Sequence, residues 1–303
     1  MTGVGLPRSH PAVSHVTARA LLASQHPDLA HLPLGARHDG WDMAMFRLGD
    51  DLAVRMPRTS TAVESLEAES TLAARLSEAW TFPFPRVLRR GEPGQGFPWP
   101  WSVVAWLEGD IAAEVPLHAG AGEPVGAALA QIHQPAPPDA RFNSEQSVPI
   151  RAREPATLEF LAALARSAGP NGERLNSALA HEMWSAAAHA PAPEPDDTVW
   201  SHADLHGFNV LSDGGRFAGI IDWADIAGCD PAVDLGFLFT FMPAAGVSRA
   251  WSRYASVTGR AGDALWARAR GIGLSKCADL ARWDRPKVSA TGWRGLVALG
   301  VAA

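Results

Sequence analysis

The residues whose types and spacing suit chemistry are concentrated between positions 200 and 235. Here HADLHGFN places a carboxylate, Asp204, five positions before a carboxamide, Asn209, and a second carboxylate, Asp222, follows thirteen positions later. A carboxylate and an amide oxygen can together hold Mg²⁺, a hard ion that takes oxygen ligands. A separate carboxylate can orient an attacking hydroxyl group or accept its proton. The spacing therefore indicates phosphoryl transfer from a nucleotide.

The segment between Asn209 and Asp222 predicts how these two residues meet. VLSDGGRFAGII has the pattern of a β-hairpin that turns at 212–215, where glycines allow a tight turn. A hairpin returns the chain to the side from which it started, so we expect Asn209 and Asp222 to lie close together. Asp204 alone would fit a turn or a helix cap, and it is the combined spacing that favours a metal-phosphate site.

These motifs resemble the aminoglycoside phosphotransferase family, the small-molecule-kinase branch of the protein-kinase-like fold. The family pattern is H-G-D-L-H-x-x-N, then I-D-W/F, then D-P-x-x-D-L, and this chain has HADLHGFNVL and GIIDWADIAGCDPAVDL. Segments at 40–58, 66–76 and 96–110 follow the family's order, so the resemblance covers roughly residues 30–285. It implies an α+β, two-lobe fold. A small β-rich nucleotide-binding N-lobe would span 1–107, and a larger, mostly helical catalytic and substrate-binding C-lobe would span 108–303.

The resemblance also implies roles for residues in the C-terminal motifs. Asp204 matches the catalytic carboxylate that engages the substrate hydroxyl, and His202 matches the residue that braces the catalytic loop. Asn209 and Asp222 match the two Mg²⁺ ligands. Asp234 matches a carboxylate that supports the loop.

A second set of implied roles concerns the nucleotide, either ATP or GTP. Arg55 occupies the position of the strand cation that holds the α- and β-phosphates, and arginine can grip phosphate oxygens with two donors. Glu69 matches the helix glutamate that pairs with this cation, with Glu67 as the alternative. Ala105 and Leu107 match the segment whose backbone holds adenine.

Three departures from the family pattern favour an alternative function. Ala203 replaces a glycine, Phe208 lies where proline-glycine often precedes the metal-binding asparagine, and Met43 replaces an asparagine in the nucleotide loop. If position 203 requires a positive φ, alanine costs roughly 1 kcal/mol or more. A nucleotide-binding pseudokinase or regulatory module is therefore one alternative, and a phosphohydrolase with water as acceptor is a weaker one.

Several elements must position these residues. Apolar residues at helical spacing predict helices, and alternating or continuous short apolar runs between turn residues predict strands. The predicted helices cover 15–30, 61–79, 120–134, 155–167 and the region 247–283. Predicted strands include a hairpin around 49–51, the run 101–106 and the motif region 198–235.

Other sites fit the sequence less well. His202 and His206 have the i, i+4 spacing of zinc ligands, but no third ligand follows at a suitable distance. Ser201 lacks the G-x-S-x-G elbow of a serine hydrolase. His133 follows an apolar helical run and is expected to pack in the core. Trp41 and Trp223 adjoin the predicted nucleotide and metal segments and are candidates for ligand contact.

Composition excludes several function classes. The chain has 303 residues and a net charge of −6, which argues against a nucleic-acid partner. Its longest apolar stretch, 235–247, is shorter than the roughly 20 residues of a membrane span. The N-terminus has no secretory pattern, so we expect a cytoplasmic protein.

The acceptor is expected to be a small molecule with a hydroxyl group. The resemblance favours an aminoglycoside-type antibiotic, with macrolides, choline-like compounds and amino alcohols as alternatives. A cationic aminoglycoside requires carboxylates, and the aspartates of the second half of the chain are interleaved with arginines. Lysine occurs only at positions 276 and 287. The sequence does not define the oligomeric state.

Overall fold

The structure is a computed structural model that describes residues 12–303. Residues 1–11, on which the expected absence of a secretory signal largely depends, lie outside the described residues. The chain divides into two compact units. The smaller unit comprises the described part of Met1–Glu78 with Pro83–Glu108 and Ile221–Asp225, and the larger unit comprises Ala79–Phe82, Gly109–Ile220 and Ile226–Ala303.

The smaller unit is built around a five-stranded antiparallel sheet with the strand order β1-β2-β3-β5-β4. Its strands are β1 (Leu34–Asp39), β2 (Met43–Leu48), β3 (Leu52–Pro57), β4 (Val87–Gly91) and β5 (Trp101–Ala105). The hairpin expected around 49–51 joins β2 to β3, with Gly49 in the left-handed region (φ +62°). The central strand β3 has partners on both edges, which accounts for the burial of Arg55 on it.

Helix α1 (His15–Gln25) packs its leucines into the core of the smaller unit. The sequence predicts this helix over 15–30, but it ends five residues earlier. Pro27 disfavours a helical conformation at His26, the residue before it, and His26 has an extended φ of −135°.

The helix predicted over 61–79 forms, but it is irregular. It begins as α2 (Ala62–Ala68), widens into a π-helical turn at Glu69–Ala73, and continues as α3 (Ala74–Leu76) and a 3₁₀ turn at Ser77–Ala79. A π-helical turn inside an α-helix frequently lies at a functional site. Here the turn begins at Glu69, the residue predicted to pair with the phosphate-binding cation.

The larger unit is mostly helical. Its helices are α4 (Gly122–Ile132), α5 (Glu154–Leu164), α6 (Ser177–His189), α7 (Ala232–Phe237), α8 (Ala244–Thr258), α9 (Asp263–Ala281) and α10 (Pro286–Ala298). Two small antiparallel sheets accompany them. One contains β6 (Asp110–Ile111), β8 (Val210–Asp213) and β9 (Arg216–Ile220), and the other contains β7 (Val199–Ser201) and β10 (Ala227–Cys229).

The predicted hairpin after the catalytic motif is present as β8 and β9. Its turn passes through Gly214 and Gly215, whose φ angles of +55° and +91° require glycine-like freedom. The register pairs Val210, the residue after Asn209, with Ile220. The region 247–283, predicted as helical, is divided into α8 and α9, because Gly259 ends α8 in the left-handed region.

Helices α7 and α9 approach each other closely because both contain glycine at the contact. A Cβ atom at Gly236 would lie 2.5 Å from the carbonyl oxygen of Ala269, and one at Gly273 would lie 2.7 Å from the carbonyl oxygen of Gly236. Neither distance is compatible with a side chain, so the glycines fix the position of α9 against α7. No helix within residues 12–303 is long and apolar enough to cross a membrane.

Candidate active site

In the smaller unit, the predicted phosphate-binding cation and its carboxylate partner form a buried ion pair. Arg55 Nη1 lies 2.5 Å from Glu69 Oε2, and the two residues are only 7% and 4% exposed. Glu67, the alternative partner from the sequence, is exposed. Strand β3 and the start of the π-helical turn thus bring together Arg55 and Glu69.

The second oxygen of Glu69 holds the segment that carries Asp222. Glu69 Oε1 accepts a hydrogen bond from the Trp223 backbone N–H at 3.0 Å. Asp222 itself has a left-handed backbone conformation (φ +63°), which is uncommon for a residue with a side chain. Backbone strain of this kind clusters at ligand and catalytic sites.

The guanidinium group of Arg55 is a candidate site for a phosphate oxygen. Burial lowers the pKa of Arg55, but the carboxylates of Glu69 and Asp222 outweigh this effect and raise it. Burial also raises the pKa of Glu69, against the opposing influence of Arg55 and the Trp223 N–H. Arg55 Nε is buried and has no hydrogen-bond partner among residues 12–303. A buried charged donor with an open hydrogen bond fits a phosphate oxygen.

A cavity of about 190 Å³ lies beside this ion pair within the smaller unit. Its lining includes Arg55, Glu69, Phe84 and the buried Trp223. The segment predicted to hold adenine adjoins the cavity, because the Ala105 backbone N–H donates a hydrogen bond at 2.9 Å to the carbonyl oxygen of Arg86, one of the lining residues. Ala105 is the last residue of β5, and Leu107 lies two positions later. Between them, the Trp106 backbone N–H donates a hydrogen bond to the Asp51 carbonyl oxygen.

In the larger unit, Asp204 lies in the loop between β7 and β8 and is held on both carboxylate oxygens. Oδ2 is 3.2 Å from His206 Nε2 and accepts a hydrogen bond from Asn209 Nδ2, also at 3.2 Å. Oδ1 accepts a hydrogen bond from Lys276 Nζ at 3.2 Å. Asn209 Nδ2 also donates to the Asp204 carbonyl oxygen at 2.9 Å. Asn209 thus engages Asp204 through its nitrogen, which leaves its carbonyl oxygen as the atom suited to a hard cation.

These contacts keep the carboxyl group of Asp204 ionised. Burial raises the pKa of Asp204, but the electrostatic influence and hydrogen bond of His206, together with the charge of Lys276, more than compensate, so the pKa falls well below its ordinary value. An ionised carboxylate with fixed orientation can accept a hydrogen bond, and then a proton, from a hydroxyl group.

A buried network supports the catalytic loop from behind. Asp234 on α7 accepts hydrogen bonds from the backbone N–H groups of His202 (2.8 Å) and Ala203 (3.0 Å). It also lies 3.1 Å from His133 Nε2, and the other ring nitrogen of His133 is 3.0 Å from the Tyr254 hydroxyl. The expected packing of His133 in the core is therefore present, with Asp234 as its partner. His202 is fully buried and contacts the loop itself, since its Nδ1 accepts a hydrogen bond from Asp204 N–H.

The departure from glycine at position 203 falls on a strained backbone. Ala203 has φ +67° and is fully buried. The loop thus adopts the conformation that glycine would take most readily, and the two hydrogen bonds to Asp234 hold it there. Phe208, another departure, packs edge-on against His206 at 5.6 Å between ring centres.

Sequence reasoning missed two partners of Asp204. The spacing of His206 suggests only a zinc ligand, although its position two residues after Asp204 is compatible with the contact to the Asp204 carboxylate that the structure contains. Lys276 lies on α9, 72 positions after Asp204. Its one distinguishing sequence signal is that lysine occurs at only two positions of the chain.

The sequence profile of the phosphotransferase enzyme family matches residues 35–272. No curated protein matches the chain.

Solved structures with a similar fold share little sequence with the chain. The GDP complex of aminoglycoside 2′-phosphotransferase-IIIa has 14% identity and a TM-score of 0.61, covering 95% of this chain and 98% of that one. Macrolide 2′-phosphotransferase from Brachybacterium faecium has 21% identity and a TM-score of 0.54, covering 88% and 90%. An aminoglycoside phosphotransferase from Streptomyces rimosus, in complex with ADP and streptomycin, has 21% identity and a TM-score of 0.51, covering 92% and 99%.

Proposed function

Because the chain belongs to the phosphotransferase enzyme family, we propose that it transfers the γ-phosphate of ATP or GTP to a hydroxyl group of a small molecule. The family match and the structural neighbours confirm the predicted family resemblance and the α+β, protein-kinase-like two-lobe fold. They also support nucleotides as donors, since the similar structures include complexes with GDP and ADP.

The observation that carries the proposal is the environment of Asp204. Its carboxylate is ionised, fixed by three side chains, and mounted on a loop that Asp234 holds in place. A turn or cap residue would need none of these contacts. A group that orients an attacking hydroxyl needs all of them, because catalysis of phosphoryl transfer comes mainly from positioning and electrostatics.

In the proposed reaction, the acceptor oxygen attacks the γ-phosphorus, and a new O–P bond forms. The bond between that phosphorus and the oxygen bridging the β- and γ-phosphates breaks, and its electron pair leaves with the nucleoside diphosphate. The proton of the acceptor hydroxyl passes to Asp204. His202 acts only as a brace for this loop, since its side chain is fully buried.

Arg55, held by Glu69, would bind the α- and β-phosphates through its open Nε donor. Asn209 and Asp222 would hold Mg²⁺, an assignment that follows the order of the family motifs. When bound, this ion supplies positive charge to the phosphate oxygens as the transition state forms. Ala105 and Leu107 would hold adenine or guanine through their backbone.

The alternative of a pseudokinase with the same fold predicts nucleotide binding without transfer, and the phosphohydrolase predicts nucleotide turnover independent of any acceptor. The alanine at position 203 is one argument for the pseudokinase. This argument is weakened because the loop forms around Asp204 with Ala203 in place. Release of ADP or GDP in the presence and absence of acceptors distinguishes these alternatives from the proposed function.

The experiment measures release of ADP or GDP by the purified protein with Mg²⁺ and a panel of hydroxyl compounds. The panel contains aminoglycosides, macrolides, choline, amino alcohols, neutral sugars and hydroxy acids. The matched control for Asp204→Asn is Asp213→Asn, because Asp213 is an exposed aspartate paired with Arg216. We expect acceptor-dependent release that Asp204→Asn abolishes and Asp213→Asn preserves. Acceptor-independent release would support the phosphohydrolase, and nucleotide binding without any release would support the pseudokinase.

A further inference from the structure

Lys276 brings a positive charge directly to the proposed catalytic carboxylate. Its Nζ atom donates to Asp204 Oδ1 at 3.2 Å, and its side chain is only 19% exposed. The chain has one other lysine, Lys287, which is 72% exposed and pairs with Glu114. The two lysines therefore differ sharply in environment, and one serves as a natural control for the other.

The position of Lys276 is set by the packing of the larger unit. Lys276 lies three residues after Gly273, one of the glycines at the close contact between α7 and α9. Its ammonium group also lies over the ring of Phe237 on α7, at 5.0 Å from the ring centre. Since α7 also carries Asp234, which holds the catalytic loop, the same helix contact fixes both Lys276 and the loop that bears Asp204.

Lys276 also begins a stretch of the sequence that is rich in basic residues. Residues 276–294 contain five basic and two acidic side chains, although the whole chain is acidic. Asp279, one turn further along α9, is already paired with Arg282 at 2.7 Å. Asp230, another aspartate of the second half of the chain, is paired with the buried Arg268 at 2.6 Å. Two of the aspartates that could attract a polycation are thus neutralised by arginines of the chain itself.

We propose that Lys276 is a positioning and specificity residue that selects against acceptors with ammonium groups beside the reacting hydroxyl. The acceptor it favours is a neutral or anionic hydroxyl compound, not a polycationic aminoglycoside. Lys276 holds Asp204 in one orientation and repels a second cation at the same carboxylate, because like charges a few ångströms apart disfavour each other strongly in a partly buried site. This inference rests on the proposed role of Asp204 in phosphoryl transfer and departs from the cationic acceptors that the resemblance suggests.

The test uses one pair of probes that differ in charge. Kanamycin is a polycation, and fully N-acetylated kanamycin keeps its hydroxyl groups without the ammonium charges. Binding of each probe is measured by isothermal titration calorimetry with Mg²⁺ and ADP present, at physiological ionic strength. The proteins are the wild type, Lys276→Met, Lys276→Arg and the control Lys287→Met. Melting temperature and binding of a fluorescent ADP analogue show that each variant is folded and keeps its nucleotide site.

We expect the ratio of kanamycin affinity to acetylated-kanamycin affinity to rise at least tenfold in Lys276→Met. Lys276→Arg keeps the charge and is expected to stay within threefold of the wild type, as is Lys287→Met. A merely structural role of Lys276 would change both affinities together and leave the ratio unaltered.

Three results would overturn the inference. They are a ratio in Lys276→Met within threefold of the wild type, a failure of that variant to bind kanamycin, and an equal rise in Lys287→Met. Failure of the proposed function looks different, because the wild type would then show no acceptor-dependent release of ADP or GDP with any compound of the panel, whatever the ratio of the two affinities.

Discussion

The ion pair between Arg55 and Glu69 allows a double-variant test of how the smaller unit is built. Both residues are buried and only 2.5 Å apart. Glu69→Leu leaves the guanidinium of Arg55 buried without its partner and removes the acceptor of the Trp223 N–H. Breaking a buried ion pair from one side costs about 3–5 kcal/mol. We therefore expect the free energy of unfolding to fall by about that amount in Glu69→Leu.

Removing both charges has a different expected result. In Arg55→Met/Glu69→Leu, apolar side chains of similar volume replace the pair, and such replacements are often neutral or stabilising. The Trp223 N–H still lacks its acceptor, which costs about 1 kcal/mol or slightly more. The double variant is therefore expected to lie within about 2 kcal/mol of the wild type, well above Glu69→Leu in stability. Its nucleotide affinity is nevertheless expected to be lost, because the phosphate-binding cation is gone.

Urea unfolding followed by tryptophan fluorescence and far-UV circular dichroism measures the free energies of unfolding. Titration with a fluorescent ATP analogue measures nucleotide affinity. The reasoning is refuted if Glu69→Leu loses less than about 1 kcal/mol, or if the double variant is no more stable than the single one. Wild-type nucleotide affinity in the double variant would refute the role of Arg55 in binding phosphate.

Four further predictions concern the catalytic loop. Asp234→Ala leaves the N–H groups of His202 and Ala203 without an acceptor, and at about 1–3 kcal/mol each we expect a loss of at least 2 kcal/mol in urea unfolding. Ala203→Val forces a β-branched residue into φ +67° and is expected to lower the melting temperature clearly. Ala203→Gly is expected to stay within about 1 kcal/mol, because relief of strain offsets the lost methyl burial and the added chain entropy. The pKa of Asp204 in the folded protein lies below its ordinary value, so the ionised carboxylate stabilises the fold at pH values above that ordinary pKa. This contribution is lost as the pH falls through the folded-state pKa. Asp204→Asn should therefore show a shallower loss of stability than the wild type below about pH 4.

Much of the site could be predicted from the sequence because its parts lie close together in the chain. The turn at Gly214 and Gly215 has a local signal, and the hairpin forms as expected. The resemblance to the family implied the ion pair between Arg55 and Glu69, and the structure contains it. Residue order was enough for the hairpin because turn type and strand pattern are local properties.

Other features depend on packing that no local pattern reveals. The regular spacing of apolar residues over 61–79 predicts a uniform helix and gives no sign of the π-helical turn that begins at Glu69. Lys276 reaches Asp204 only because two glycines let α9 approach α7. The positive φ of Ala203 is set by the two hydrogen bonds to Asp234, a residue more than thirty positions away.

The most direct test of the central claim separates nucleotide binding from transfer in Asp204→Asn. The acceptor-dependent transfer of labelled γ-phosphate and the affinity for a fluorescent ATP analogue are measured on the same preparation. Removing a group that orients and deprotonates the acceptor is expected to lower the transfer rate by about 10²–10⁴-fold, with nucleotide affinity within about threefold of the wild type. Transfer at the wild-type rate in Asp204→Asn would contradict the account, because the carboxylate at its centre would then have no part in the reaction.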